Sequence, residues 1–320
     1  MFNKKSTQKS FITVGILVVS LFVVSAFAAP TPPPTYYITS DYTMQSDMYA
    51  RFVINADDIT FNFNGYTISG NGLGTGIYIN GKEDIDFTGN GRIENHKVGI
   101  KVVGGDGIHT GTGSKYVDDC DTGISLYNSD WVTLRSFDIT ECEYGVFMKY
   151  CNNCANLICE IDGSGLIRDT ETGMQLQEND NNEYTTVEIY DCQSDGIDAD
   201  DEDYCSYEDI YSYYNDVYGL DFQNADFTDF YDHIGYNYAT DNGVTGLYIR
   251  NNTYYSEDGV YEYIQLNENG LYGLHIKNNS VDNAFWDCYG EDNGYYDRRD
   301  ENGQGYNDYY YCDFGTTIWY

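Results

Sequence analysis

The fold is decided by a short motif that first occurs as Thr75-Gly76-Ile77-Tyr78-Ile79-Asn80, a glycine followed by an apolar, a polar and a second apolar residue. The same pattern returns eight times downstream, at intervals of 22 to 28 residues. The glycines of these later copies are Gly99, Gly123, Gly145, Gly173, Gly196, Gly219, Gly246 and Gly273. A repeat with a period of about 20 to 50 residues is typical of a solenoid, a propeller or a similar array.

Alignment on these glycines gives two apolar columns, one and three residues after the glycine, with a mostly polar column between them. Such alternation predicts a strand with one buried and one exposed face. Copies that run in one direction form a parallel sheet, and the roughly 20 intervening residues are too few for a covering helix. We therefore predict an all-β chain, a single-stranded right-handed parallel β-helix of about ten coils of 22–28 residues. A propeller is the alternative fold, but it would need four antiparallel strands in each longer repeat.

The amino terminus has the features of a signal peptide. Three lysines precede an apolar run over residues 11–27, which ends in the small-x-small sequence Ala26-Phe27-Ala28. An uncleaved membrane anchor is the alternative, because about 17 apolar residues nearly suffice to cross a bilayer. Cleavage after Ala28 would leave no membrane span and would place the protein outside the cell or on its surface. The predicted segments are a signal peptide (1–28), a Pro-rich spacer (29–35), the β-helix (36–290) and an irregular C-terminal coil and cap (291–320).

The composition is strongly acidic. The chain has 52 Asp and Glu against 16 Lys and Arg, which gives a formal charge of −36. Such a surface repels nucleic acid, so nucleic acid is excluded as a partner, and it attracts cations. The 35 Tyr and 15 Phe argue against disorder, because disordered chains are poor in aromatic residues.

One segment resembles a known family. Residues 56–72, Ala-Asp-Asp-Ile-Thr-Phe-Asn-Phe-Asn-Gly-Tyr-Thr-Ile-Ser-Gly-Asn-Gly, run into Gly74-Thr-Gly-Ile-Tyr-Ile. They resemble the opening coils of pectate-lyase-like right-handed parallel β-helix repeat proteins, which include archaeal surface proteins and relatives of the periplasmic β-helix factor for nitrous-oxide-reductase maturation. The resemblance covers about residues 36 to 290. It implies the fold but no single activity, because the family includes lyases, hydrolases, adhesins and surface-layer proteins.

The exposed face of the repeated strand carries a group of acidic residues. Asp198 and Asp221 fall side by side on neighbouring coils, and Asp200 follows on the same strand as Asp198. Carboxylates this close raise each other's pKa, so that one can serve as a general acid beside a base. We predict these three as catalytic residues of a polysaccharide hydrolase or lyase, or as ligands of calcium. A solvated acidic face without chemistry is the alternative.

The segment 194–203 is similar to the acidic motif of β-helix pectin hydrolases, but the Gly-His-Gly and Arg-x-Lys motifs of those enzymes are missing. Further polar and aromatic side chains occupy the same exposed positions and are candidates for substrate binding. They are Gln175, Gln177, Gln223, Tyr248, Arg250, His275 and Lys277.

Cysteine spacing predicts two disulfides. Cys120 and Cys142 both stand three residues before a glycine on adjacent coils, so their Cα atoms should lie about 4.8 Å apart, within bridging range. Cys288 and Cys312 are one repeat apart, and the same reasoning applies. Because the nine cysteines are an odd number, at least one stays unpaired within the chain. The cluster Cys151-x-x-Cys154-x4-Cys159 is compatible with a metal knuckle, but stacked or bridged cysteines are favoured.

Asn251 and Asn278 each begin an Asn-x-Ser/Thr acceptor sequence for glycosylation. Both stand five residues after their glycine, so a stacked asparagine column that closes a turn is the alternative. Together, these features predict a structural or adhesive β-helix, secreted or on the cell surface. It would bind polysaccharide or a cell-envelope glycan along its exposed coil face and could self-associate. The alternative is a polysaccharide hydrolase or lyase, and calcium is the one candidate cofactor.

Overall fold

Parallel strands stacked coil upon coil form the regular structure of the chain. The computed structural model describes residues 30–111, 113–152, 154, 157–158, 166–202, 205–224, 233–235, 237–251, 259–277, 279–302 and 306–319. This part contains no helix, and its residues from Pro32 onward belong to one compact unit. The predicted signal peptide (1–28), the acceptor Asn278 and Cys159 lie outside the described residues.

The longest continuous series of paired strands is the sheet that contains the repeated glycines, here called the glycine sheet. Its strands pair in parallel and follow one another in chain order. The nine glycine strands predicted from the sequence are consecutive in it, with two further strands at either end. The strands are Thr35–Ile38, Arg51–Ile54, Thr75–Asn80, Val98–Val103, Thr122–Tyr127, Tyr144–Lys149, Thr172–Gln177, Ile197–Asp200, Tyr218–Gln223, Thr245–Arg250, Tyr272–Ile276, Tyr296–Asp300 and Thr317–Trp319. The predicted parallel β-helix is confirmed.

A second long parallel sheet, the lateral sheet, forms another face of each coil. Its main strands are Met48–Tyr49, Thr67–Ser69, Gly91–Glu94, Lys115–Asp118, Phe137–Thr140, Leu166–Arg168, Glu183–Tyr190, Ser206–Tyr213, His233–Gly235, Gly259–Glu262, Asn283–Trp286 and Asp308–Tyr310, with Leu157–Ile158 and Tyr238–Thr240 paired beside them. A short sheet closes the first coils with Tyr42–Thr43, Ile59–Asn62, Glu83–Thr88 and Asp106–Thr110. The last pair is Tyr289–Gly290 with Asp313–Phe314.

The register of the glycine sheet follows the sequence alignment. Ile77 pairs with Ile100, and Ile79 pairs with Val102, so equivalent side chains stack from coil to coil. All eighteen side chains of the two apolar columns are at most 2% exposed. The glycine also faces inward: a Cβ on Gly123 would lie 2.6 Å from the Gly145 carbonyl oxygen and 2.6 Å from Cγ2 of Ile139. The glycine is therefore required because the next coil, which supplies both Ile139 and Gly145, approaches its Cα.

Buried asparagines connect the later coils at the turn before the glycine sheet. The side-chain amide nitrogen of Asn215 donates to Oδ1 of Asn242 at 2.9 Å, Asn242 donates to Asn269 at 3.1 Å, and Asn269 donates to Asn293 at 3.0 Å. Each Oδ1 also accepts the backbone N–H of the preceding member. Asn293 in turn donates to Oδ1 of Asp297 at 2.8 Å. This asparagine ladder satisfies buried backbone groups that a turn would otherwise leave unpaired.

Parallel strand pairing continues beyond residue 290, into the segment 291–320 that we predict to be an irregular coil and cap. Leu274 pairs with Arg298, and Ile276 pairs with Asp300, so charged residues take over the two apolar columns. The guanidinium carbon of Arg298 lies 3.9 Å from the centroid of the Tyr309 ring. The fully buried Asp300 accepts a hydrogen bond from the Tyr309 hydroxyl at 2.9 Å. The sequence pattern is lost here because ion–aromatic contacts, rather than aliphatic packing, fill the last coil.

Candidate functional site

The structure brings the predicted site residues to one face of the glycine sheet. Residues two after the glycine align in one row, Gln175, Asp198, Asp221, Tyr248 and His275. Residues four after the glycine align in a second row, Gln177, Asp200, Gln223 and Arg250, with Lys277 following at the end. We call these two rows, together with the residues that flank them on the same strands, the outer face. The sequence alignment therefore predicted which side chains are neighbours.

Asp221 and Arg250 form a bidentate ion pair across adjacent rungs. Nε of Arg250 donates to Oδ1 of Asp221 at 3.2 Å, and Nη2 donates to Oδ2 at 2.8 Å. Only 2% of the Asp221 side chain is exposed, compared with 37% of Arg250. Burial raises the pKa of Asp221 to about 7, against the opposing charge of Arg250. The guanidinium group thus covers the carboxylate and occupies both of its oxygens.

The other two acidic candidates have partners of their own. Oδ2 of Asp198 lies 3.4 Å from Nε2 of Gln175, and Oδ1 of Asp200 accepts a hydrogen bond from Nδ2 of Asn224 at 2.7 Å. Burial raises the pKa of Asp198, and the nearby Arg250 opposes that shift. No group of three or more His, Cys, Asp or Glu side chains in the described part of the chain is arranged to hold a metal ion. The predicted calcium ligands Asp198, Asp200 and Asp221 thus do not converge.

Aromatic rings extend the outer face toward the carboxyl end. The ring of Tyr248 lies between those of Tyr218, at 4.7 Å, and His275, at 5.0 Å, measured between centroids. The ring of Tyr272 lies 4.8 Å from His275. Tyr248 and His275 are 8% and 7% exposed, although they point away from the core. The half-buried tyrosines on either side therefore shield this row and hold its rings in place.

Glu301 gathers the basic groups at the end of the outer face. Its Oε1 lies 3.0 Å from Nε2 of His275, 2.8 Å from Nη2 of Arg299 and 3.7 Å from Nζ of Lys277. Burial would raise the pKa of Glu301, but the hydrogen bond from His275 and the charges of Lys277 and Arg299 lower it. Burial lowers the pKa of His275. Sequence alignment missed Arg299 and Glu301 because Asp297 stands where their strand would have its glycine.

Glu202 was also missed. It lies in the core, although its acidic neighbours in the sequence predict a solvated segment. Its side chain is fully buried. Oε1 accepts a hydrogen bond from Nδ2 of Asn179 at 2.6 Å, and Oε2 accepts one from the Tyr184 hydroxyl at 2.9 Å. Burial raises the pKa of Glu202 to about 7. The glycine alignment held a signal for this burial. Glu202 stands six residues after its glycine, and Ser129, Cys151 and Asn179, at the same position in earlier coils, are also buried.

The cysteines predicted to be bridged lie close together but are separate thiols in the structure. Contact with Cys120, together with burial, raises the pKa of Cys142. The backbone N–H of Cys288 lies 3.4 Å from Sγ of Cys312. The thiols of Cys151 and Cys154 also interact, but no metal cluster forms there among the described residues. Both disulfides remain predictions.

Asn251 closes a left-handed turn at the end of its strand. Its backbone φ is 57°, and the equivalent Asn128 and Asn224 have φ of 48° and 53°. Asparagine and glycine adopt this region more readily than other residues. The turn explanation therefore accounts for the asparagine column. Asn251 is also exposed, so glycosylation there remains a prediction.

The sequence profile of one protein family matches residues 122–289, more than half of the chain, and that family is described as a right-handed β-helix region. The chain belongs to this right-handed β-helix family. No curated protein matches the chain closely enough to count as a relative.

Solved structures with similar folds include two variants of the catalytic domain of a GH87 α-1,3-glucanase in complex with tetrasaccharides. They have TM-scores of 0.53 and 0.51, with 9% and 10% sequence identity. In both cases 90% of this chain is covered, and it spans 62% of the glucanase domain. The match to the periplasmic alginate epimerase AlgG covers 89% of this chain and 78% of the epimerase chain, at 14% sequence identity and a TM-score of 0.43. At these identities the likeness concerns the fold. No helix in the described residues has the length and apolar character to cross a membrane.

Proposed function

We propose that this β-helix binds an extended, acidic polysaccharide along the outer face of the glycine sheet, as a structural or adhesive protein outside the cell. The observation that carries the proposal is the grouping of Arg250, Lys277 and Arg299 on three successive rungs. The chain as a whole carries a formal charge of −36. Positive side chains gathered on one face of so acidic a protein favour an anionic ligand there.

The neighbouring aromatic residues suit a sugar chain. Nη1 of Arg299 donates to the Tyr272 hydroxyl at 2.7 Å, and the guanidinium carbon of Arg250 lies 5.6 Å from the Tyr248 ring centroid. These contacts hold cationic and aromatic groups in fixed positions, which reduces the entropy lost on binding. The β-helix fold is shared with a glucanase domain that holds tetrasaccharides. A signal peptide over residues 1–28 would export the protein to such a ligand.

Binding should be measured by titration calorimetry with oligogalacturonate and with a neutral glucan. Lys277→Gln is the informative variant, since the Lys277 side chain is 44% exposed and Glu301, 3.7 Å away, keeps its closer contact with Arg299 at 2.8 Å. We expect affinity for the uronate to fall about three-fold, the usual effect of one partly screened charge. Lys101→Gln, on the same sheet but six rungs before Arg250, should have no effect. Equal losses in the two variants would contradict the proposed site.

A polysaccharide hydrolase or lyase is the second candidate, favoured by the pairing of Asp198 with Asp221 on adjacent rungs. Burial raises the pKa of both carboxyl groups, as a general acid requires. However, Arg250 occupies both oxygens of Asp221, which leaves little room for a glycosidic oxygen. Release of reducing ends or of unsaturated uronides from an acidic glycan panel would support the enzyme. Turnover that survives Asp198→Asn would remove Asp198 from the mechanism.

A further inference from the structure

A separate cleft of about 510 Å³ opens near the carboxyl end of the chain, away from the rows of the outer face. Its polar lining comes from Gln265, Asn267, Tyr289, Glu291 and Asp313. Tyr289 is 45% exposed. Among the described residues, no Lys or Arg lines the cleft, which distinguishes it from the cationic end of the outer face.

The cleft results from two short rows of outward positions on successive coils. Gln265, Tyr289 and Asp313 pair with one another in register and form the first row. Asn267 and Glu291 begin the second row, and the backbone N–H of Glu291 donates to Oδ1 of Asn267 at 3.2 Å. The next position in that row is Gly315, which has no side chain. The row of side chains is therefore interrupted beside Glu291, and the space stays open.

The lining matches the chemistry of a sugar with a positive charge. Carboxamide and carboxylate groups hydrogen-bond to vicinal hydroxyls, and a partly exposed tyrosine ring offers an apolar surface to a pyranose. Two carboxylates, with no cation among the described residues that line the cleft, favour an ammonium group and repel a uronate. We propose that this cleft binds an amino-sugar oligosaccharide of the deacetylated hexosamine type. This site is independent of the one proposed on the outer face.

Calorimetry of the full chain with a glucosamine tetrasaccharide at pH 6 tests the proposal. We expect one binding event, at least tenfold tighter than that of the N-acetylated tetrasaccharide. Galacturonate tetrasaccharide, whose proposed site is the outer face, should not compete with it. The double variant Glu291→Gln, Asp313→Asn should weaken binding at least tenfold. The matched control is Asp292→Asn, which removes the exposed carboxylate next to Glu291 but does not line the cleft. It should stay within twofold of the unmodified protein.

Simple attraction of a polycation to an acidic protein would give different results. Spermine carries comparable charge without a sugar ring, so it should bind weakly, and Tyr289→Ala should weaken the tetrasaccharide several-fold. Equal binding of spermine, no effect of Tyr289→Ala, or an equal loss in Asp292→Asn would overturn the proposal, as would no binding at all. Lys277→Gln should leave this binding unchanged, so failure at the cleft and failure on the outer face can be told apart.

Discussion

Replacement of Glu202 by glutamine should largely remove one component of the pH dependence of stability. Burial raises the pKa of Glu202 from 4.5 to about 7. The unfolded chain therefore loses this proton at a lower pH than the folded chain does. As pH rises from about 4.5 to 7, the free energy of unfolding falls progressively, and above pH 7 it no longer changes through this group.

The size of the effect follows from the two pKa values. A tenfold change in proton affinity corresponds to about 1.4 kcal/mol, so the difference between 4.5 and about 7 amounts to about 3 kcal/mol. Glutamine keeps the shape of the side chain. Its oxygen can accept from Asn179, and its amide can donate to the Tyr184 hydroxyl, whose hydrogen can rotate away. The variant should therefore gain about 3 kcal/mol relative to the original protein between pH 4.5 and pH 8.

Urea unfolding at several pH values, followed by tyrosine fluorescence, measures this gain. Glu183→Gln is the matched control, because Glu183 is an exposed glutamate on the neighbouring strand Glu183–Tyr190. It should leave the pH profile unchanged. Burial also raises the pKa of Asp221, from 3.8 to about 7, so its ionisation destabilises the folded protein over an overlapping pH range. Some pH dependence of stability should therefore persist in Glu202→Gln. Parallel profiles for the original protein and Glu202→Gln would refute the reasoning.

Three further substitutions test the packing of the coils, each read by thermal or urea unfolding. Gly123→Ala should destabilise by about 1–3 kcal/mol because its Cβ would overlap the next coil. Gly111→Ala, whose nearest contact would be 3.3 Å, should be tolerated, and similar losses in both would contradict the close approach at Gly123. Asn242→Ala should cost about 2–4 kcal/mol, since it leaves several buried hydrogen-bonding groups unpaired, and a near-neutral effect would show that water replaces the amide. Arg250→Gln should cost about 3 kcal/mol at pH 8 and clearly less at pH 5, where Asp221 takes up a proton. A loss independent of pH would show that the ion pair is not the cause.

Much of the fold and the neighbour relations on the outer face could be predicted from the sequence. The reason is that one period fixes both: once Gly196 and Gly219 are aligned, Asp198 must lie beside Asp221. The side-chain contacts that could not be predicted are those with hydrogen-bonding partners on other coils. The exposed-row pattern does not show that Arg250 reaches back to cover Asp221.

Buried polar residues were harder to predict for a related reason. Asn215, Asn242 and Asn269 each stand four residues before a glycine, so they share one column of the glycine alignment. An asparagine column before a strand is typical of an exposed turn, and the alignment alone does not show that these side chains are buried and bonded to one another. Glu202 was hidden differently, since its acidic neighbours in the sequence indicate solvent while Asn179 and Tyr184 come from the preceding coil.

The asparagine ladder also gives the solenoid an electrical direction. In a parallel sheet the peptide dipoles along the axis alternate and largely cancel, but the amides of Asn215, Asn242 and Asn269 all donate toward the carboxyl end. The ladder therefore behaves like a small helix macrodipole, whose positive end is neutralised by the carboxylate of Asp297. Its negative end accepts the backbone N–H of Cys192. A coil added at the carboxyl end must therefore supply an acceptor at this turn, and one added before Asn215 must supply a donor.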